Sequence, residues 1–371
     1  MKNIYLDNNA TTEPLPEVIE AVIKGCCTFG NPSSIHSFGR AAKARLIHAR
    51  QTVATFLGTR PDEIIFTSSG TEALNMVLRG FFGFRPAGHI ITTACEHAAV
   101  YNTIQALEAA GCSVTYIPVG SFGAATPDQV TAAIQPDTRL ITLMAANNET
   151  GVRTDIEGIA RIALEHGIAF VVDGVALLGK ERFQIPQGVS ALCCSGHKIH
   201  GPKGVGFAYV RKGLKLQPHI TGGEQEGGRR SGTEDIAAIS GLTTAIEILQ
   251  PILSETVATQ RTLRDLFEQK LHAVCPGICI NGDGPRICNT SNIAFPGMEG
   301  EVLLTQLDLH GIAASHGSAC ASGALEPSRV LTSMGLTRAR CASSLRFSLS
   351  RFTTEEEILR VVEVISQWTS T

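Results

Sequence analysis

Between about residue 60 and residue 210 the chain repeats one unit: a short apolar run, a turn of small polar residues and glycine, then a stretch at helical period. The runs are Glu63-Ile64-Ile65-Phe66, His89-Ile90-Ile91-Thr92-Thr93, Leu140-Ile141-Thr142-Leu143-Met144, Ile168-Ala169-Phe170-Val171-Val172 and Ala191-Leu192-Cys193-Cys194. Continuous hydrophobicity marks strands covered on both faces, the condition of a parallel sheet packed between helices. The alternation therefore predicts an α/β fold with a mostly parallel sheet. At 371 residues the chain exceeds the size at which one core stops growing, so a second domain is expected. Ile236, Ile239, Leu242, Ile246 and Leu249 recur at helical spacing and predict a long helix leaving the first domain, with Gln250-Pro251 as its boundary. The expected division is a large domain over 15–250 and a small α+β domain made of 1–14 and 251–371.

Residues just beyond the C-terminal ends of parallel strands line the ligand crevice of such a sheet. Here Ser195-Gly196-His197-Lys198-Ile199-His200-Gly201-Pro202-Lys203-Gly204 follows the last run. A lysine made nucleophilic by its site forms Schiff bases with carbonyls. Pyridoxal 5'-phosphate requires such a lysine, donors for its phosphate and an acid partner for its ring nitrogen. Taken alone, the segment reads equally as a surface turn carrying a lysine. Asp173 ends the run at 168–172, where it can hold a pyridine nitrogen protonated or cap a helix. Thr67-Ser68-Ser69-Gly70-Thr71 joins a strand to the helical stretch Glu72–Leu78 and aims backbone N–H groups at an anion, as a plain capped helix also does. Ser195, His197 and Thr233 can add side-chain donors.

Further positions carry chemistry of their own. His97, in Cys95-Glu96-His97, can stack on a ring or move protons near neutral pH, or be an ordinary polar residue. Asn147-Asn148-Glu149-Thr150-Gly151 follows a strand, so its amides can bond a ring oxygen and a carboxylate, or form a turn. Ser344-Leu345-Arg346-Phe347-Ser348 alternates, setting Arg346 opposite the apolar Leu345 and Phe347. That arginine is either a surface ion pair or a bidentate carboxylate clamp. Cys320 lies in His316-Gly317-Ser318-Ala319-Cys320-Ala321-Ser322-Gly323, whose small residues predict a mobile loop and a reachable thiol. Cys193, Cys194 and Cys279 read instead as buried structural cysteines.

A net charge of −3 gives no reason to expect nucleic acid or an anionic membrane as partner. Met1-Lys2-Asn3-Ile4-Tyr5-Leu6-Asp7 lacks the apolar region of a signal peptide, and no apolar run approaches the ~18–20 residues of a membrane helix. Eleven cysteines, an odd number, then fit reduced thiols and a cytoplasmic location. Cys26-Cys27 and Cys193-Cys194 are adjacent pairs rather than CxxC, so no metal site is expected.

Together these motifs resemble the cysteine desulfurases of the NifS/IscS type, within the class V (fold type I) superfamily of pyridoxal phosphate enzymes. The resemblance covers nearly the whole chain. It runs from Tyr5-Leu6-Asp7-Asn8-Asn9-Ala10-Thr11-Thr12 through Gly30-Asn31-Pro32-Ser33-Ser34-Ile35-His36, Ser69-Gly70-Thr71-Glu72-Ala73 and Glu96-His97-Ala98-Ala99-Val100. It continues with Asn147-Asn148-Glu149, Ser195-Gly196-His197-Lys198, Gly222-Gly223-Glu224-Gln225-Glu226, Arg230-Ser231-Gly232-Thr233-Glu234, Gly317-Ser318-Ala319-Cys320 and Leu345-Arg346-Phe347-Ser348.

It implies a seven-stranded type of sheet sandwiched by helices, beside a smaller α+β domain. The implied reaction takes sulfur from L-cysteine, giving L-alanine and a persulfide on Cys320. A sulfur-acceptor or scaffold protein would receive that sulfur for iron–sulfur cluster or other sulfur-cofactor synthesis. Lys198 is then the Schiff-base lysine, Asp173 the ring-nitrogen partner, and His97 the residue that stacks on the ring and shuttles protons. Gly70, Thr71, Ser195 and His197 match phosphate ligands, and Thr233 matches one supplied by the other subunit of a homodimer. Asn148 and Arg346 match the holders of the substrate carboxylate. Another class V enzyme, an aminotransferase or a selenocysteine lyase, would share this cradle, as would a catalytically weak binding or regulatory relative. The chain departs from the pattern at Ala176, where a glutamine usually bonds the phenolic oxygen of the cofactor, and at Gly227, where an arginine is common.

Overall fold

The computed structural model describes residues 3–317 and 327–369. Its central sheet has seven strands in the order Ile64–Thr67, Gly206–Val210, Ala191–Ser195, Ala169–Asp173, Thr138–Met144, His89–Thr93 and Ser113–Ile117. Only Gly206–Val210 runs against its neighbours. The other ladders are parallel. Successive side chains enter opposite layers, as the pleat requires. Ile64, Phe66, Ile91, Ile141 and Phe170 join one core, with residues of the helices Ser37–Leu57, Ile156–Glu165 and Ile236–Val274. Ile65, Ile90, Leu140 and Val171 join the opposite one, against Gly70–Phe82 and Ala98–Ala109. Burial from both sides is why these strands read as unbroken apolar runs.

Two of the seven strands are not marked in the sequence. Ser113–Ile117 is an edge strand that stays partly open to solvent, so its Ser-Val-Thr-Tyr-Ile composition carries no apolar run. Gly206–Val210 is buried throughout, but it follows directly on the glycine-rich turn after Lys198.

The long helix does not stop at Gln250-Pro251: it runs unbroken from Ile236 to Val274. Pro251 lies on its exposed side, while Leu249 and Leu253 on either flank are buried and hold the helix against the first core. One missing N–H facing water is tolerated there because packing is continuous on the other face. Thirty-nine residues at 1.5 Å each span about 58 Å, enough to reach a second core. There Leu263, Phe267 and Leu271 pack with Ile4, Leu6, Ile293, Leu345, Phe347 and Val361. A small antiparallel sheet of Cys279–Ile280, Thr290–Ala294 and Ser344–Ser348 belongs to this core, and Ile4–Tyr5 reaches it by pairing with Ile312–Ala313. Contrary to the sequence expectation, the long helix is apolar enough over one 18-residue window to pass for a membrane span, but 56% of that window is buried inside the protein. Its hydrophobicity is that of a core helix.

Cys279 sits on the short edge strand and is half-buried, not buried as its neighbours suggest, whereas Cys193 and Cys194 are buried in the central sheet. Gly227 belongs to a run of left-handed backbone, with φ of 50° at Glu226, 66° at Gly227 and 72° at Gly228. An arginine at 227 would be strained in this turn. The last helix opens on a capping box, Thr354 and Glu357 exchanging side chain to backbone bonds at 3.1 and 3.2 Å.

Candidate active site

His97, Asn148, Asp173, Ser195 and Lys198 lie at or just past the C-terminal ends of parallel strands of the central sheet, which delivers them to one edge, and Arg346 reaches the same edge from the small antiparallel sheet. A cavity of about 190 Å³ there is lined by Gly70, Thr71, His97, Asn148, Asp173, Ser195, His197, Lys198 and Arg346, together with Asn9, Ala10, Ala176 and Lys180. A larger cavity of about 630 Å³ lies behind the segment 174–179 and contains none of the nine expected residues. Size alone would misdirect; the convergence of chemistry marks the smaller cavity.

Gly70–Phe82 begins at this edge. Ser69 caps it, accepting from the Glu72 N–H at 3.1 Å, and Glu72 accepts in return from the Ser68 N–H at 2.7 Å. The N–H groups of Gly70 and Thr71, at the helix start, lack intrahelical acceptors and are available to an anion. A Cβ on Gly70 would lie 2.7 Å from Val175 Cγ2, so only glycine fits between this turn and the wall opposite. Asp173 caps no helix. Its Oδ1 accepts from the Val175 N–H at 3.0 Å. Burial pushes its carboxyl pKa up, and His97 and Lys198 pull it back. His97 caps Ala98–Ala109 through Nδ1, accepting from the Ala99 N–H at 3.1 Å.

His197 is pushed down to about 4, first by burial and then by Lys198 and Lys203. It is therefore a neutral imidazole at pH 7, with Nδ1 3.1 Å from Thr11 Oγ1. Lys198 Nζ donates to the carbonyls of Asn9 and Ala10, the latter at 2.9 Å. Arg346 is only 1% exposed. It donates from Nη2 to Asp7 at 2.6 Å and from Nη1 to the Asn148 carbonyl at 3.1 Å. Its Nε is buried with no partner among the described residues.

Thr233 is not brought to this cavity; it is exposed. Its segment is tied to the helix Gly70–Phe82, whose start lines the cavity, by Arg230, which donates to Glu72 at 2.6 and 3.2 Å. Cys320 lies outside the described residues. Four participants carry no assignment from sequence reasoning: Asp7 on Arg346, the Asn9–Ala10 backbone on Lys198, and the buried side chains of Lys180 and Glu96. Lys180 has its pKa lowered by burial, and Glu96 is raised to about 8 by burial. Glu96 beside the histidine is the one signal that could have been used, since a carboxyl within three residues of a buried strand end needs a reason.

The aminotransferase class-V family model matches residues 4–361. A cysteine desulfurase of Nostoc sp. is 45% identical over 371 residues, covering 99% of this chain and 93% of that protein. The cysteine desulfurase NifS of Azotobacter vinelandii is 41% identical, covering 98% and 92%. A solved NifS-like protein superposes with a TM-score of 0.91 at 35% identity over the full length of both chains. On the strength of this match across both cores and every strand end of the site, the chain belongs to the class-V aminotransferase family, among the cysteine desulfurases of the NifS and IscS kind.

Proposed function

We propose that the protein is a pyridoxal phosphate-dependent cysteine desulfurase, converting L-cysteine to L-alanine and passing the sulfur to an acceptor protein. The observation that carries this reading is the meeting of Lys198, Asp173, His97 and the Gly70–Thr71 helix start around one cavity, in a chain whose full-length relatives bear that name. The residues fit the cofactor. Gly70 leaves room where a side chain would not. Asp173 is buried without a cation beside it that fully offsets the cost, and a protonated ring nitrogen would supply one. Lys198 would hold the cofactor covalently, Gly70, Thr71, Ser195 and His197 its phosphate, and His97 its ring face.

When bound, pyridoxal phosphate makes the α-proton of an amino acid acidic by drawing electrons toward its protonated ring. Arg346, with Asn148, orients the substrate carboxylate, and the unpartnered Nε is the donor left for it. Lys198 takes the α-proton at its amine and returns a proton to carbon. The Cys320 thiolate attacks the substrate sulfur: a sulfur–sulfur bond forms, the Cβ–S bond breaks, and its electron pair stays with the carbon fragment that leaves, after protonation, as alanine. Burial of His197 as a neutral imidazole lets it donate to phosphate without adding a second proton source beside Lys198.

The active form is a homodimer in the cytoplasm, with Thr233 reaching the partner's phosphate site. Its two units are 15–250 and 1–14 with 251–371, a division supported by the separate hydrophobic cores at the two ends of Ile236–Val274. The test is alanine released from cysteine by purified, cofactor-loaded protein in the presence of a reductant. Lys198→Ala and Cys320→Ala should each lose it, and Cys320→Ala should keep its cofactor. Full desulfuration by Cys320→Ala would favour another class V activity, and no alanine from the wild type would favour a binding role.

A further inference from the structure

Lys180 is 6% exposed and lines the candidate cavity, yet nothing in the reaction above uses it. Its backbone is fixed on both sides: its N–H donates to the Leu177 carbonyl at 2.9 Å, and its own carbonyl accepts from Cys288 Sγ at 3.3 Å. Gly179 before it stands with φ of 72°, and a built Cβ there would lie 2.6 Å from Ile199 Cγ2. Glycine thus lets the wall 174–180 close against the segment after Lys198. Val175, Ala176 and Lys180 are the residues of that wall that reach the cavity, and of the three Lys180 alone ends in a polar group.

An ammonium group has three donors. Among the described residues, the one hydrogen bond from Lys180 Nζ goes to the Lys198 carbonyl at 3.5 Å, a long contact for an N–H donor. No carboxylate pairs with it among those residues; the groups that act on its charge are the Cys288 thiol and Arg351. Burial raises Cys288 and so keeps it a thiol. His200 also faces Lys180, and burial holds it down to about 4, neutral at pH 7. Lys180 thus has cations beside it and no anion, and burial lowers its pKa. A buried amine with spare donors at a cavity wall is costly until an anionic acceptor reaches it.

Pyridoxal phosphate carries one ionisable oxygen besides its phosphate: the phenolic oxygen, on the ring carbon next to the aldehyde. Lys198 would bind the aldehyde, and Lys180 Nζ lies against the Lys198 backbone. Asp173 answers the ring nitrogen, the Gly70 turn the phosphate, and Arg346 with Asn148 the substrate carboxylate. We infer that Lys180 holds the phenolic oxygen of the cofactor, supplying from the next turn of the same wall the donor that Ala176 lacks. The inference rests on pyridoxal phosphate as the cofactor. An anionic oxygen there would return to Lys180 the attraction that burial withholds.

The test follows the visible band of the cofactor-loaded protein against pH, with no substrate present. The proton that moves this band is shared between the Lys198 nitrogen and the phenolic oxygen. A donor on that oxygen favours the form without the proton and lowers the midpoint. Lys180→Met keeps the length and removes the donor, so it should raise the midpoint by about one to two pH units. It removes a buried charge and strands none, so its urea midpoint should match the wild type. Asp173, His97 and His197, the other titratable groups at the cavity, are common to both proteins. Lys180→Arg keeps a cationic donor and should stay nearer the wild type than the methionine variant. An unchanged or lowered midpoint in Lys180→Met overturns the inference, as does an equal rise in both variants. Borohydride reduction is the control on the underlying reading: if loaded wild type gains no covalent mass at Lys198, that reading fails and the inference falls with it. A mass gain at Lys198 beside an unmoved Lys180→Met midpoint sinks the role of Lys180 alone.

Discussion

Glu96 offers a direct measurement of what burial at the site costs. Its Oε1 accepts from Thr93 Oγ1 at 2.9 Å, its Oε2 has no partner among the described residues, and it is 1% exposed. Burial, with Asp173 adding to it, raises its pKa from 4.5 to about 8. The folded protein therefore keeps a proton on Glu96 that the unfolded chain gives up above pH 4.5. Between those two values each pH unit costs the folded state about 1.36 kcal/mol, and above the upper one the loss is complete. From pH 6 to the folded pKa of about 8 is two units, or roughly 3 kcal/mol. Glu96→Gln has nearly the same shape and no titration. Its stability relative to wild type should rise by about that amount between pH 6 and pH 9, whatever its offset at pH 6. The assay is urea unfolding of both proteins at several pH values with the cofactor stoichiometric, comparing the difference in unfolding free energy. Using the difference removes every other titrating group common to the two. A flat difference from pH 6 to pH 9 would refute the buried neutral carboxyl, because a Glu96 ionised and paired in the fold would titrate below that range in both states.

Three further outcomes follow from particular contacts. Arg50 grips the buried Glu226 with two bonds of 2.7 and 2.8 Å, so Arg50→Ala leaves that carboxylate buried and unpaired and should cost about 3–5 kcal/mol in urea unfolding. Arg346→Lys keeps the charge but not the planar fork, and should raise KM for cysteine by on the order of tenfold or more with the fold intact by circular dichroism. Thr233→Ala should weaken cofactor retention on dialysis more than it lowers the unfolding midpoint. Mixing it with Lys198→Ala chains should then recover one intact site per heterodimer, and failure to recover any would count against a shared site.

Much of the site was legible because its chemistry sits within a few residues of the strand ends. Asp173, Ser195 and Lys198 lie where short apolar runs stop, and burial on both faces makes such runs stand out. What stayed hidden depends on contacts far apart in the chain. Lys198 meets the Asn9 and Ala10 carbonyls across 189 and 188 residues, and Ser328 meets Glu149 across 179. Periodicity reports only the near neighbourhood of each residue. The same limit explains Gln250-Pro251: proline is a local stop signal, but Leu249 and Leu253 hold the helix to the core on both sides of it and the tertiary packing prevails.

Arg346 shows how burial changes the meaning of an ion pair. In an alternating strand it reads as either a surface ion pair or a bidentate carboxylate clamp. In the structure it is ion-paired, to Asp7 at 2.6 Å, and it is also fully buried. A buried guanidinium without a counter-charge is costly, and breaking such a pair by removing one partner is more costly still. Asp7 offsets that cost, and the Asn148 carbonyl fixes the plane of the guanidinium. Neither contact uses Nε. On the proposed reading, an incoming carboxylate would meet a donor already oriented and already short of a partner, and its binding would remove an unsatisfied polar atom from the interior in addition to forming a charge-assisted bond. The residue that makes this arrangement possible stands 339 positions away, on an arm that reaches the site because Ile4–Tyr5 pairs with Ile312–Ala313 in the second core.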